Sequence, residues 1–271
     1  MSVSSRDKLG IIAGGTIYPV LVAQGAKARG YQIYAVGIEG LTLPEIEKYT
    51  HKVCWINMGN LQKLIEFFRE NGIKELIMAG NVRKADLFKK LKLDPLTAKL
   101  FQGLSDKSDM NLLQVFAKEL ERNGLSLLDA RTFLDEYIPK RGALTKLSPT
   151  KSQWEDILFG WKVAKTLASF DIGLTVVVKD KVVIALEGIE GTDETIKRAG
   201  DLTAGGFVVV KVARPHQDLR FELPVVGLNT VKLLVKHQAS VLAIEAEKTL
   251  FFDIHQAISF ANSNSLPILA L

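Results

Sequence analysis

Three stretches of the chain gather side chains able to bind or hydrolyse a phosphate anhydride. Gly14-Gly15-Thr16 lies between an apolar run, Leu9–Ala13, and a segment headed by Pro19. Glycines there let backbone amides approach an anion, and a helix starting beyond them adds about half a positive charge at its N-terminus. The loop Glu187-Gly188-Ile189-Glu190-Gly191-Thr192-Asp193 concentrates three carboxylates and a hydroxyl after a second apolar run. Such hard oxygen donors suit magnesium, which takes one or two carboxylates and fills its shell with water and substrate phosphate. An acidic helix start with Thr192 or Asp193 as N-cap is the plainer reading of the same loop. The third stretch, Lys211 to Pro224, alternates Lys211, Arg214 and Arg220 with Asp218 and Glu222, and includes His216 and Gln217. A loop of this kind presents a general base or metal ligand beside phosphate-neutralising cations, or else is a surface tangle of ion pairs.

Smaller signals accompany these. Gly80-Asn81-Val82-Arg83-Lys84 sets an amide and two cations at the end of another apolar run, and Gly227-Leu228-Asn229-Thr230 is a further glycine-led helix start. The spacing Gly10, Gly14, Gly15 is not GxGxxG, which argues against a nicotinamide or flavin oxidoreductase. His51, His216, His237 and His255 lack zinc spacing, and no GxSxG is present. Cys54, the single cysteine, sits in an apolar context and reads as core; it forbids an intrachain disulfide and suits a reducing compartment. Trp154, Phe159 and Trp161 recur at helical spacing and read as packing.

The elements that must position these residues alternate along the chain. Strands at Leu9–Ala13, Tyr31–Val36, Lys52–Ile56 and Glu75–Ala79 are interleaved with helical segments, the pattern of a parallel sheet covered on both faces. The expected fold class is α/β with two domains: a Rossmann-like N-terminal parallel sheet over 1–137, a linker over 138–150 rich in proline and polar residues, and a C-terminal α/β domain with a mixed sheet over 151–271. In the second half, Gly173–Val178 and Val182–Leu186 flank Lys179-Asp180-Lys181 as a hairpin. At 271 residues the chain exceeds what one core usually serves. The uncharged run Leu9–Ala26 is interrupted by Gly14-Gly15 and Pro19, so it reads as strand, turn and helix rather than a membrane span. A net charge of +5 is too small for a nucleic-acid binder, and most of it comes from six basic residues between Arg83 and Lys99. Interleaved with leucines and phenylalanines, that stretch reads either as an amphipathic helix or as a surface for anionic lipid.

Four motifs in this order, Leu9-Gly10-Ile11-Ile12-Ala13-Gly14-Gly15 with Pro19, Met78-Ala79-Gly80-Asn81-Val82, Glu187 to Asp193, and Lys211 to Gly227 with Gln217-Asp218-Leu219-Arg220-Phe221 and Pro224, resemble the LpxI-type UDP-2,3-diacylglucosamine pyrophosphatases of lipid A biosynthesis. The resemblance runs nearly end to end. It implies two domains with substrate held between them, and Mg²⁺-dependent hydrolysis to UMP and 2,3-diacylglucosamine 1-phosphate (lipid X). It further implies a cytoplasmic protein, peripheral at the inner membrane. Asp218 matches the family's catalytic aspartate. The expected site then comprises Asp218, Asp193 and Arg220 for the chemistry, and Asp218 and Glu187 for the metal. Gly14, Gly15, Thr16, Asn81, Arg83, Glu187, Thr192, Lys211, Gln217 and Thr230 are expected to bind substrate. The expected partner is a lipid-linked sugar nucleotide and not nucleic acid; contact with an anionic membrane surface and a homodimer remain open expectations. A non-catalytic or regulatory nucleotide-sugar-binding protein is the alternative function.

Overall fold

The structure is a computed structural model that describes residues 7–82, 93–102, 109–221 and 223–271. The chain divides into two compact units. One comprises Met1–Leu134 with Asp218–Glu222, the other Asp135–Gln217 with Leu223–Leu271.

In the first unit, β1 (Lys8–Ala13), β2 (Gln32–Ile38), β3 (Lys52–Ile56), β4 (Glu75–Ala79) and β5 (Ser126–Leu127) form a sheet of order β3-β2-β1-β4-β5. Every pairing in it is parallel. In β1 all residues after Lys8 are buried, as expected of a strand covered on both faces. The order reverses between β1 and β4, the switch point beside which open α/β sheets bind ligands. Helix α1 (Tyr18–Ala28) leaves β1 with Pro19 in its first turn, where a missing N–H costs nothing, and Gly30 follows it at φ +87°. Asn60 caps α2 (Leu61–Glu70), accepting from Lys63 N. Helices α3 (Pro95–Gln102) and α4 (Asp109–Arg122) complete the described part. Asp94 holds α2 and α3 together, accepting from Gln62 N and Thr97 N at 2.6 Å each. Leu96 and Leu100 pack on this unit's core, so the described end of the basic stretch is an amphipathic helix; Arg83, Lys84, Lys89, Lys90 and Lys92 lie outside the described residues.

The second unit has a six-stranded mixed sheet built from β6 (Gly142–Ala143), β7 (Thr175–Lys179), β8 (Val182–Leu186), β9 (Val208–Lys211), β11 (Val241–Ile244) and β13 (Ile268–Ala270), in the order β6-β13-β11-β9-β7-β8. The strands β9, β11 and β13 are parallel, while β7, β8 and β6 run against their neighbours. The expected hairpin closes through Asp180 and Lys181, at φ +52° and +59°, with both amides capped by the buried Asp156 carboxylate. Alternate residues of each strand serve opposite faces. Val208 and Val210 pack with Ile157, Ala164, Trp154 and Trp161 of α5 (Lys151–Ser169). Val209 joins the opposite core with Ile196, Val231 and Ala257 from α6 (Thr192–Leu202), α7 (Leu228–Lys236) and α8 (Ile254–Ser263). A separate two-stranded sheet pairs β10 (Val225–Val226) with β12 (Leu250–Phe251).

The α/β class with a parallel and a mixed sheet matches expectation. Within residues 138–150, β6 pairs with β13, and Thr145 Oγ1 accepts from Ile268 N at 2.8 Å. The stretch containing Asp218, Leu219, Arg220 and Phe221 groups with the first unit, where Phe221 is 2% exposed within the core.

Candidate active site

At the switch point of the first unit, the glycine loop is stitched to the end of β4. Gly14 N donates to Ala79 O at 2.8 Å, Gly15 N to Asn81 O at 2.9 Å, and Asn81 N to Gly15 O at 3.2 Å. Any side chain at Gly14 would begin 3.0 Å from the Gly80 carbonyl carbon, and one at Gly80, held at φ +93°, would begin 2.5 Å from Gly15 O. The glycines are therefore required by this close approach. Their amides, expected to face an anion, are spent on strand carbonyls. What the loop leaves toward solvent is Thr16, exposed at φ +74°, beside an α1 N-terminus whose N-cap Ile17 supplies no side-chain acceptor. Arg83, the expected cation here, lies outside the described residues.

Also in the first unit, Asp218 and Arg220 form a tight local pair. Asp218 Oδ1 accepts from Arg220 N and Nε at 3.1 Å each, and Oδ2 from the terminal guanidinium nitrogen at 2.9 Å. These bonds from Arg220 hold the Asp218 carboxyl below its usual range against partial burial, and Asp218 in turn raises Arg220. Arg220 also donates to Glu121 at 2.9 Å and lies over the Phe221 ring. Glu222 lies outside the described residues.

In the second unit the structure brings Glu187, Thr192 and Lys211 together. Lys211 Nζ, at the end of β9, donates to Thr192 Oγ1 at 2.7 Å and to Thr175 Oγ1 at 3.4 Å, and stands 4.0 Å from Glu187. Thr192 Oγ1 donates to Glu187 Oε1 at 2.9 Å, and Leu174 N to Oε2 at 3.1 Å. Burial pushes the Glu187 carboxyl up, but the Lys211 charge, the two hydroxyls and the Leu174 amide outweigh it and hold Glu187 below its ordinary value. Thr192 is not the helix N-cap: Gly191 is, at φ +84°, and the threonine hydroxyl is used by the ion pair instead. Thr175, fully buried, was missed in the sequence; a threonine opening an apolar strand was its only signal.

Asp193 follows Thr192 in the first turn of α6 and accepts from Thr230 Oγ1, on α7, at 3.4 Å. Both helices begin at glycine N-caps, Gly191 and Gly227, without side-chain caps. The bond therefore joins the first turns of two helices whose partial positive charge favours an anion. Glu190 does not join this group; it pairs with Arg198 at 2.6 Å. In the loop after β9, Arg214 is committed to Asp171 at 2.6 Å, and Gln217 accepts from Arg214 N at 3.3 Å. Glu245 and Lys165, unforeseen in the sequence, fix the start of the loop at Ala213: Glu245 accepts from Ala213 N at 2.8 Å and Lys165 Nζ at 2.6 Å, and Lys165 donates to Ala213 O at 2.9 Å.

The expected metal set fits only in part. Among the described residues no three His, Cys, Asp or Glu side chains converge as a metal cage. Glu187 has a lysine ammonium, two threonine hydroxyls and a main-chain amide around its carboxylate, an arrangement for a counter-ion rather than an open ligand. Asp218 is likewise a counter-ion, with both oxygens bonded to Arg220, but at a quarter exposed it is the more accessible of the two carboxylates to a magnesium ion.

A family model for the LpxI N-terminal domain matches residues 8–137, and one for the LpxI C-terminal domain matches residues 140–269. UDP-2,3-diacylglucosamine pyrophosphatase LpxI of Caulobacter vibrioides is 29% identical over 275 residues, covering 97% of each chain. Two solved structures are distantly similar. The biotin carboxylase subunit of pyruvate carboxylase is 15% identical over 68% of this chain and 38% of its own, with a TM-score of 0.28. The biotin carboxylase domain of Hydrogenobacter thermophilus 2-oxoglutarate carboxylase is 14% identical over 73% and 42%, with a TM-score of 0.27. The match covers less than half of either of those chains. The two domain matches together account for nearly the whole sequence, and the chain belongs to the LpxI family.

Proposed function

We propose that the protein hydrolyses the diphosphate bond of UDP-2,3-diacylglucosamine, giving UMP and 2,3-diacylglucosamine 1-phosphate. The observation that carries this reading is the match of both LpxI domains along the chain, together with the name of the Caulobacter relative. The reaction adds water oxygen to one phosphorus, and the bridging oxygen leaves with the other. It calls for charge neutralisation and a positioned water more than for covalent chemistry.

Asp218 carries the central role. Held below the usual carboxylate range by Arg220, it is a weak base at neutral pH, so it serves as a fixed negative charge that orients water or cation rather than as a strong proton acceptor. A magnesium ion, when bound, would neutralise diphosphate oxygens, and Asp218 is the residue that would hold it. In the second unit, the first turns of α6 and α7 offer amides, with Thr230 and Asp193, to a phosphate or sugar hydroxyl. Lys211 and Glu187 fix Thr192 at the head of α6 and so shape that surface. In the first unit, Thr16 and the start of α1 offer a further anion contact.

The test is incubation of the full chain with UDP-2,3-diacylglucosamine, with and without Mg²⁺, and chromatography for UMP and the lipid phosphate. Metal-dependent release of both in equal amounts is the expected result. Binding of the sugar nucleotide without release would favour a regulatory binding protein and overturn the reading.

A further inference from the structure

Two turns of the first unit share a pattern and its internal bonds. In Asp129-Ala130-Arg131 the Asp129 carboxylate accepts from Arg131 N at 2.8 Å and is gripped by the Arg131 guanidinium at 3.0 and 2.7 Å, just as Asp218 is by Arg220. The middle residues of the two turns are joined, Ala130 N donating to Leu219 O at 2.7 Å. The Ala130 carbonyl in turn accepts from the Tyr18 hydroxyl at 2.7 Å. Tyr18 is 5% exposed, and its phenol is pushed well above the usual range by burial and by Asp129, so the hydroxyl stays a donor. Tyr18 begins α1, and its N–H donates to Thr16 of the glycine loop at 3.4 Å.

We infer that Tyr18 is a positioning residue for Asp218, acting through Ala130 and the Ala130–Leu219 hydrogen bond. The inference rests on the role of Asp218 proposed above. Bonds from Arg220 fix the carboxylate relative to its own turn, but something else must fix the turn within the unit. Phe221 anchors one end by burial, and the Arg220–Glu121 pair is exposed and contributes little. The main-chain bond from Ala130 anchors Leu219, the residue next to Asp218. Tyr18 secures it by using a buried hydroxyl on the Ala130 carbonyl, a group that otherwise would be left without that partner. Tyr18 thus joins the glycine loop, through its main-chain N–H, to the turn of Ala130, through its hydroxyl.

The test is a double-mutant cycle on the full chain with UDP-2,3-diacylglucosamine and Mg²⁺. Because small displacements of a catalytic group are costly, Tyr18→Phe should lower kcat by about 10- to 100-fold. It should leave KM within about threefold, since the phenol is buried and acts through another group. Added to Asp218→Ala, it should cause no further loss, and in the single variant the Ala130 amide should exchange its hydrogen faster. A double variant slower than Asp218→Ala by the full single-variant factor would show an independent structural effect and overturn the inference. Wild-type kcat in Tyr18→Phe beside an inactive Asp218→Ala would overturn it and leave the role of Asp218 standing; full turnover in Asp218→Ala would instead remove the reading on which it rests. If Tyr18→Phe does not accumulate folded, Asp129→Asn, which loosens the same turn from its other side, enters the same cycle with the same expected and contrary results.

Discussion

Glu187 and Lys211 stand 4.0 Å apart with side chains 11% and 6% exposed, whereas Asp218 and Arg220 touch at 2.9 Å with side chains 25% and 36% exposed. The first pair is assembled across the sheet of the second unit from strands distant in sequence. The second is made within one turn of the first unit by residues two apart. A buried pair cannot open without stranding a charge in a medium of low dielectric, so it is suited to holding structure. A partly exposed pair can exchange partners at little cost, so it is suited to meeting a ligand. Of these two carboxylates, that of Asp218 is the more accessible to a ligand, as its proposed role requires.

The widest split between the two is in stability. Lys211→Ala removes the cation from a buried carboxylate and should cost about 3–5 kcal/mol by urea unfolding, whereas replacing both partners together, Glu187→Gln with Lys211→Met, should recover most of the loss. A single-variant cost below about 1 kcal/mol would erase the contrast with a surface pair. Acid sharpens it further. Because Glu187 is held below its ordinary value of 4.5, its contribution is complete above that value and is lost as pH falls through the lower folded one. Unfolding followed from neutral pH to about pH 3 should therefore show a shallower acid loss for Glu187→Gln than for wild type. Identical pH slopes would contradict the buried pairing. The smallest effect is expected at the outer edge of the exposed pair, where Glu121→Gln should change stability by under about 1 kcal/mol, and less at high salt.

Much of this was legible in the sequence, for local reasons. Apolar runs with glycine and proline at their ends gave β1, its turn and α1, and Lys179-Asp180-Lys181 gave the hairpin. The motif Lys211 to Phe221 pointed to Asp218 and Arg220, which indeed pair. What the sequence did not disclose is non-local. That Gly14 and Gly15 spend their amides on Ala79 and Asn81 depends on how two strand ends meet. That Thr192 serves Lys211 and Glu187 rather than a helix cap depends on the register of β7, β8 and β9. Nor does any spacing reveal that the turn of Asp218 belongs to the first unit, where the burial of Phe221, the bond from Ala130 and the Arg220–Glu121 pair hold it. The recurrence of Asp-x-Arg at Asp129 and Asp218 was visible, but too short to register as a repeat.

If the exposed pair acts in hydrolysis while the buried pair holds structure, a single substitution at Asp218 separates activity from stability. Asp218→Ala, assayed for UMP release from UDP-2,3-diacylglucosamine with Mg²⁺ and for its thermal midpoint, should lose about 100- to 10,000-fold in kcat. Its midpoint should remain within a few degrees of wild type, as for loss of a partly exposed ion pair. Undiminished turnover, or a loss of turnover that merely follows a collapse in stability, would contradict the account.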